Sequence, residues 1–382
     1  QVDTNHQLLL AEVNENVPEA VIAVQAGATP PAILTELQTG QTPDAADSSV
    51  THVLLPGLSL GDAGSIEGDI DNLPRPASGD SVALIPSLRN WSKENSPNQA
   101  ELADLLAQPE AQQTHVNNIV ALIIGQGYAG VDIDYRGVTA DWRDNYSNLI
   151  TELAQTLHAQ GKVLLVSVEM PTLTSDGTWE TEGYDWRTLG QTADVLRIPL
   201  GDTTQASSLQ QYQNWALSQV NRYKLFPTIH AHSNDRVGDQ VNLLTLEQAL
   251  APLSQVSGPE GNAIPPGEMV QFKLGGEALD TIQFDEGTET YRYTYQDQDG
   301  NTHQVTVATA ASLSKMLDWT MQYHLGGVFI SGLLEPSNDP SIPSVVQQFT
   351  ARTPPTASNA LQVIWTVQAT AGEQLERQDR PL

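Results

Sequence analysis

The 382 residues carry 46 acidic against 17 basic side chains, a formal net charge of −29, and no cysteine. A surface so acidic repels nucleic acid and anionic lipid, so neither is an expected partner, and without cysteine there are no disulfides and no cysteine-ligated zinc. No apolar run approaches the ~20 residues of a membrane span, and the length suits one large barrel or two ordinary domains.

Residues 1–17 hold one short candidate strand around Leu8 to Val13, outside any repeating unit. The chain starts at Gln1 and lacks cysteine, which leads to the expectation of a secreted, extracellular or cell-surface protein whose signal peptide has been removed. Strand–helix alternation then begins. Ala20 to Gln25 reads as a first strand ended by Gly27, and Pro30-Pro31 opens a helix over Ala32 to Leu37 that closes near Gly40. Thr51 to Leu60 is the second strand, followed by a Gly- and Asp-rich loop to Asn72. Ser81 to Leu88 is the third, and helices are predicted over Gln99 to Leu106 and Thr114 to Gly125.

The fourth strand lies between Gly127 and Val138. Apolar Val131, Ile133 and Tyr135 alternate with Asp132, Asp134 and Arg136, so period 2 puts the three charged side chains on one face. Neighbouring stretches such as Val163 to Val168 are almost wholly apolar, as in a parallel sheet covered on both faces. In a closed barrel the charged face then points into the lumen, where two carboxylates and a guanidinium must pair or be put to use.

A helix from Trp142 to Gln160 spaces Leu149, Ile150, Leu153 and Leu157 on one face, with Gly161 as its cap. Strand five is Lys162 to Met170, strand six Ala193 to Leu200, and strand seven Leu225 to His232, with a helix over Ser208 to Asn221 between the last two. Helices over Leu246 to Leu253 and Ala311 to Tyr323 (Ser312 capping early), strand eight at Gly327 to Leu333 and a closing helix at Ser344 to Phe349 complete the series. Eight such units in sequence predict a right-handed (β/α)8 TIM barrel. Before strand eight lie Met269 to Lys273, Thr290 to Tyr295 and Thr302 to Val307, whose alternation around Asp299-Gly300 signals a β-hairpin. The predicted organisation is therefore an extension at 1–17, a barrel over 18–352 with a small α+β hairpin insertion at about 265–310, and a C-terminal strand and tail at 353–382. Within that tail Ala360 to Ala369 reads as an extra strand, free to pair with Leu8 to Val13, to join a neighbouring subunit or to begin a second domain.

The fourth strand resembles the strand-four signature of glycoside hydrolase family 18, the chitinase-like barrels, written D-G-x-D-x-D-x-E. Ala129 stands where the first Asp belongs, Asp132 and Asp134 match the second and third, and Arg136 takes the place of the Glu. The run Tyr293 to Val305, then Ala311 to Leu317 and Leu325 to Ile330, resembles the C-terminal part of spore-germination-type family 18 glycosidases, so the likeness covers roughly Ala20 to Phe349. The resemblance implies that the Glu would be the general acid and the substrate's own N-acetyl group the nucleophile. It also implies a Tyr after strand six, where Gly201 stands, and a Trp at the end of strand eight, where Ser331 stands. Arginine stays protonated at any working pH and cannot hand over a proton. With these positions changed, the expectation is a protein that is not an enzyme, a pseudo-glycosidase acting as a structural or self-associating extracellular protein through its terminal strands. One alternative is a lectin-like protein that binds N-acetylglucosamine-containing glycans; a second is a glycoside hydrolase whose acid has moved to Glu169 or a loop residue.

Other candidate groups carry two readings each. Trp179, Tyr184 and Trp186 after strand five either line a sugar-binding groove, with Glu169, Arg197, His230 and His232 as further candidate glycan contacts, or cover the top of the barrel. His230 and His232 share one side of strand seven near Asp235; a structural pair is preferred to a zinc site, which needs three or four ligands. Glu169 at the end of strand five is expected to be held as an ion pair beside Arg136 or Arg197 in preference to serving as an acid. Asp297-Gln-Asp-Gly-Asn opens like a calcium loop but lacks the bidentate Glu at the required spacing, so a hairpin turn is preferred. No cofactor and no metal are predicted.

Overall fold

The computed structural model describes residues 30–38, 41–43, 49–77, 82–92, 96–200, 206–238, 240–254, 256–257, 273–274, 276–360, 362–365 and 378–381. Eight parallel strands make the barrel of its nine-stranded main sheet, β1 (Ala32–Glu36), β2 (His52–Leu60), β3 (Ala83–Arg89), β4 (Gly130–Asp134), β5 (Val163–Ser167), β6 (Val195–Pro199), β7 (Leu225–His230) and β8 (Gly327–Ser331), and the short strand Ile66–Gly68 runs antiparallel beside β2. Each barrel strand lies beside its neighbour in sequence, and β1 pairs with both β2 and β8, so the sheet closes on itself. Helices α1 (Gln99–Ala107), α2 (Pro109–Gln126), α3 (Arg143–His158), α4 (Trp186–Thr192), α5 (Ala206–Gln219), α6 (Ala310–Gln322) and α7 (Ile342–Thr350) alternate with the later strands. The closed eight-stranded parallel barrel surrounded by helices is the TIM barrel that the alternation predicts.

One element differs in kind. Ala32 to Leu37, expected as a helix, is the first barrel strand, and the expected first strand at Ala20 to Gln25 lies outside the described residues. Ile33, Leu34 and Thr35 are all fully buried. Three successive buried side chains suit a strand packed on both faces, whereas one turn of helix would turn one of them to solvent.

The signature strand is built by two glycines and a helix. Gly127 ends α2 in the left-handed region at φ 78°, as such C-caps do. At Gly130 a Cβ would collide with the carbonyl oxygen of Val163 on β5, so the strand pair needs glycine there for close approach. On the outer face Tyr135 reaches α2, its hydroxyl donating to His115 Nε2 at 2.6 Å while His115 Nδ1 donates to the Gly64 carbonyl at 2.9 Å. After β4, α3 buries Tyr146, Leu149, Ile150, Leu153 and Leu157 on one face, and Gly161 at φ 66° follows it.

Inside the barrel the side chains are layered. Leu34, Leu54, Ile85, Leu165, Phe226 and Phe329, one from each of six strands, form an apolar cluster. Two residues further along, the same faces carry Glu36, Ser87, Arg197 (two beyond Val195) and Ser331, as the pleat requires. Parallel register sets Ser87 beside Asp132, Arg89 beside Asp134 and Ser167 beside Arg197. An apolar floor thus supports a polar layer toward the C-terminal ends of the strands, where barrels of this type carry their sites.

The described residues divide into two compact units, one comprising those up to Ile229 with Leu317–Leu334 and Gln347–Pro354, the other His230–Met316, Glu335–Val346 and those from Pro355 onward. The second contains a five-stranded antiparallel sheet ordered Gln240–Leu244, Ser233–Val237, Thr302–Val307, Thr290–Gln296 and Gln283–Asp285. Tyr291, Tyr293, Val305 and Val307 pack there with Ala249, Leu253 and Ala278. The hairpin turn is held by Asp297, whose carboxylate accepts from the Asp299 and Asn301 amides and the Asn301 side chain. Asp297 and Asp235 flank His303, and burial is outweighed by these two acceptors, which raise the imidazole above its ordinary value. Thr309, just before α6, and Ser312, in its first turn, exchange side-chain to backbone hydrogen bonds, so Ser312 acts as half of a reciprocal cap. The C-terminal strand, Gln362–Trp365, pairs antiparallel with Gln378–Pro381. Its partner comes from the stretch read as a polar tail, because a short connection costs little loop entropy; Leu8 to Val13 lies outside the described residues. Among the described residues no helix is long and apolar enough to cross a membrane.

Candidate active site

Two guanidiniums, Arg197 and Arg89, and three carboxylates, Asp132, Asp134 and Glu36, interlock in the polar layer. Asp132, fully buried, accepts from Arg197 Nε at 2.9 Å and Nη2 at 3.0 Å, and from the Ser87 hydroxyl at 2.7 Å. Arg197 Nη2 also reaches Asp134 Oδ2 at 3.4 Å, and its guanidinium lies 4.6 Å over the Phe329 ring of the apolar floor. Glu36 takes Arg89 Nη2 at 2.7 Å on one oxygen and the Ser331 hydroxyl at 3.1 Å on the other.

Burial and pairing pull these groups in different directions. Burial pushes Asp132 above its ordinary value, and the neighbouring charge of Asp134 adds to this while Arg197 and Ser87 oppose it. Asp134 is also raised by burial, but the charges of Arg197, Arg136 and Arg89 outweigh that and leave it below the usual carboxylate range. Glu36 ends lowered in the same way, with Arg89 as the main opposing charge. Arg197 is depressed by burial yet lifted further by Asp132, Asp134 and Glu36, so it remains a cation. The ion-paired layer is a structural plug of satisfied charge.

At the rim two charged side chains are differently placed. Arg136, two residues past the end of β4, is 41% exposed at its side chain and reaches Asp134 only at 3.3 and 3.5 Å. Its guanidinium stacks 3.4 Å over Trp91, which also carries Arg89 at 4.7 Å and donates its indole N–H to the Asp134 carbonyl at 3.1 Å. Asn90 fixes the same turn reciprocally, accepting from the Arg136 amide at 2.8 Å and donating to the Arg136 carbonyl at 2.9 Å. Glu169, two residues past β5, is exposed. Its Oε2 accepts from the Gly137 amide at 2.8 Å, and Tyr184 Oη lies 2.9 Å from that same oxygen and 2.9 Å from the Tyr135 carbonyl. Burial pushes the Tyr184 hydroxyl well above its ordinary value, so it serves as a donor. Glu169 Oε1 accepts no hydrogen bond among the described residues. The expected ion pair of Glu169 with Arg136 or Arg197 does not form, because both guanidiniums are turned to the two aspartates.

The remaining candidates spread out. Ala129 packs against the apolar floor with Val163 and Val195, and Gly201 lies outside the described residues. Tyr184 and Trp186 are 1% and 2% exposed, so neither presents a face to a sugar. Trp186 packs against Trp215 at 4.8 Å between centroids, and the half-buried Trp179 stands 5.5 Å from that same ring. Arg197 is likewise enclosed. His230 is the exposed last residue of β7 and His232 lies half-buried beyond it; no group of three metal-ligating side chains occurs among the described residues. Sequence reasoning missed Glu36, Ser87, Arg89 and Trp91. The pleat of β3 signalled two of them, since Ser87 and Arg89 alternate with apolar Pro86 and Leu88 as the aspartates do on β4.

Comparison with known proteins gives the family and the fold. The family described as Glycosyl hydrolases family 18 matches residues 77–331. The Bacillus subtilis protein YdhD, named as a sporulation-specific glycosylase, is 25% identical over 234 residues, 59% of this chain and 51% of that protein. The chain therefore spans about half the length of this curated relative. Among solved structures, a Chromobacterium violaceum chitinase superposes with a TM-score of 0.63 at 21% identity, over 84% of this chain and 99% of that one. The Bacillus megaterium spore cortex-lytic enzyme SleL gives 0.61 at 16% identity, over 84% and 74%. These two share the fold. The expectation that the barrel is not an enzyme is corrected by these findings, since the matching family is one of hydrolases and the relatives carry the names of enzymes. The inference failed because it equated the changed family residues at positions 129, 136, 201 and 331 with the loss of all activity.

Proposed function

We propose that this chain, which belongs to glycosyl hydrolases family 18, hydrolyses glycosidic bonds in N-acetylglucosamine-containing glycans, with Glu169 as the general acid. The observation that carries the reading is the placement of Glu169. Its Oε2 is bonded to the amide of residue 137, next to the position where the family signature has its acid, and its Oε1 is left open at the rim. A catalytic acid needs that combination of one anchored oxygen to fix orientation and one accessible oxygen to carry the proton. Tyr184 and the Gly137 amide supply the anchor, and neither competes for Oε1.

The reaction follows from the substrate's own chemistry. The acetamido carbonyl oxygen attacks the anomeric carbon, the bond to the leaving oxygen breaks, and the Glu169 proton passes to that oxygen. Water then attacks the anomeric carbon of the cyclic intermediate and returns a proton to Glu169. The names of the relatives, a chitinase and a cortex-lytic enzyme among them, support amino-sugar polymers as the substrate class. Such polymers lie outside the cytoplasm, so an exported protein goes with this reading.

Turnover of a soluble chitooligosaccharide and of a peptidoglycan fragment tests the proposal. The wild-type chain is expected to cleave at least one, and Glu169→Gln to lower kcat by about 10²- to 10⁴-fold, the usual share of a general acid. No cleavage of either class, or unaltered turnover in Glu169→Gln, overturns it.

A further inference from the structure

We infer that Arg136 makes this site selective for a glycan carrying a free carboxylate beside the cleaved linkage, an acidic amino sugar in preference to a neutral one. The inference deepens the hydrolase reading and rests on the same rim. A guanidinium has five N–H donors in a planar fork. Arg136 turns its Nε–Nη2 edge to Asp134, at 3.3 and 3.5 Å. Its Nη1 makes no hydrogen bond among the described residues, so the end-on edge, Nη1 with the second hydrogen of Nη2, is uncommitted. That edge has the spacing of a carboxylate's two oxygens.

The side chain is held ready for such a ligand. Stacking on Trp91 at 3.4 Å fixes the guanidinium plane, and Asn90 clamps the backbone of residue 136 on both its amide and its carbonyl. Little rotamer freedom is left to lose on binding. Charges facing it are few. Asp134 is shared with Arg197, Glu36 is taken by Arg89, and Glu169 is the exposed carboxylate one residue further round the rim. In a chain of net charge −29, a half-exposed and pre-oriented arginine at the mouth of the barrel is a local exception to a surface that otherwise repels anions. A purely structural arginine would be expected to close tighter on Asp134, as Arg197 does on Asp132 at 2.9 and 3.0 Å.

The test uses a disaccharide of N-acetylglucosamine and a lactyl-bearing amino sugar with its carboxyl group free, and the same disaccharide with that carboxyl converted to the methyl amide. Binding is followed by calorimetry on the full chain carrying Glu169→Gln, and turnover on the wild type. The acid is expected to bind about tenfold or more tightly than the amide, the usual weight of a charged hydrogen bond, with a preference that shrinks in high salt. Arg136→Gln in the same background should bring the two affinities to within about twofold, and Arg136→Lys should restore part of the difference by charge without the fork. Equal affinity for acid and amide, or a preference that persists in Arg136→Gln, overturns the inference. The chemical change is made on the ligand, so the first comparison needs no folded variant at position 136. Acid preference without any cleavage by the wild type would uphold Arg136 selectivity and overturn only the hydrolase reading.

Discussion

Arg197 sits buried beneath the rim. It is 3% exposed and bridges Asp132 and Asp134, so each of the three ions is tolerated only because the others are present. Replacing it by Met keeps much of the volume but strands two buried carboxylates with Ser87, Arg136 and Arg89 as their remaining partners. Arg197→Met is expected to cost about 3–5 kcal/mol, the range for breaking a buried ion pair from one side, measured from the urea midpoint and slope. The double variant with Asp132→Asn should recover a substantial part of that loss. A change below about 1 kcal/mol in the single variant would show that this network does not hold the barrel mouth together. Glu169 differs from its neighbours for the same local reason, since every nearby guanidinium is already matched to another carboxylate.

At the scale of elements, Gly130 inside the signature and Gly125, five residues earlier, should respond to alanine with opposite signs. Gly130 opens β4 against the Val163 carbonyl of β5, where an added Cβ would force the strands apart and carry Asp132 away from Ser87 and Arg197. Gly125 lies within α2 with open space where its Cβ would be. Gly130→Ala is expected to destabilise by about 1–3 kcal/mol or more through overpacking, while Gly125→Ala should stabilise by about 1 kcal/mol through helix propensity. Thermal melts of the two variants beside wild type decide both. Equal effects of one sign would mean that the β4–β5 approach is not the constraint. The element that sequence reasoning misassigned, Ala32 to Glu36, is short enough that periodicity cannot separate strand from helix; its strand pairing comes from β2 and β8 on its two edges, one of them nearly 300 residues away.

The molecule as a whole carries 46 acidic and 17 basic residues, so its net charge is strongly negative and repels itself. Raising NaCl from about 20 mM to about 500 mM shortens the Debye length severalfold and is expected to raise Tm. A flat or falling Tm would place the excess carboxylates too far apart to matter. The buried ion network at the barrel mouth is screened far less than the surface, so salt should leave the loss caused by Arg197→Met largely unchanged. The two responses are therefore separable in one set of melts.

Period-2 alternation from Val131 to Arg136 and the apolar runs around it determine by themselves that a charged face enters a covered sheet, and the repeated strand–helix units determine the barrel. Residue identity alone likewise puts an arginine, which cannot act as an acid, at position 136. Only the tertiary structure decides which charges satisfy which. Arg197 meets Asp132 across 65 residues, Arg89 meets Glu36 across 53, and Glu169 meets the amide of Gly137 across 32. Coulombic and hydrogen-bond energies turn on ångström distances, and those distances are set by barrel closure and strand register, which no local pattern encodes. The same closure commits Arg197 and Arg89 to carboxylates inside the barrel mouth, and leaves one oxygen of Glu169 and one edge of Arg136 without a hydrogen bond among the described residues.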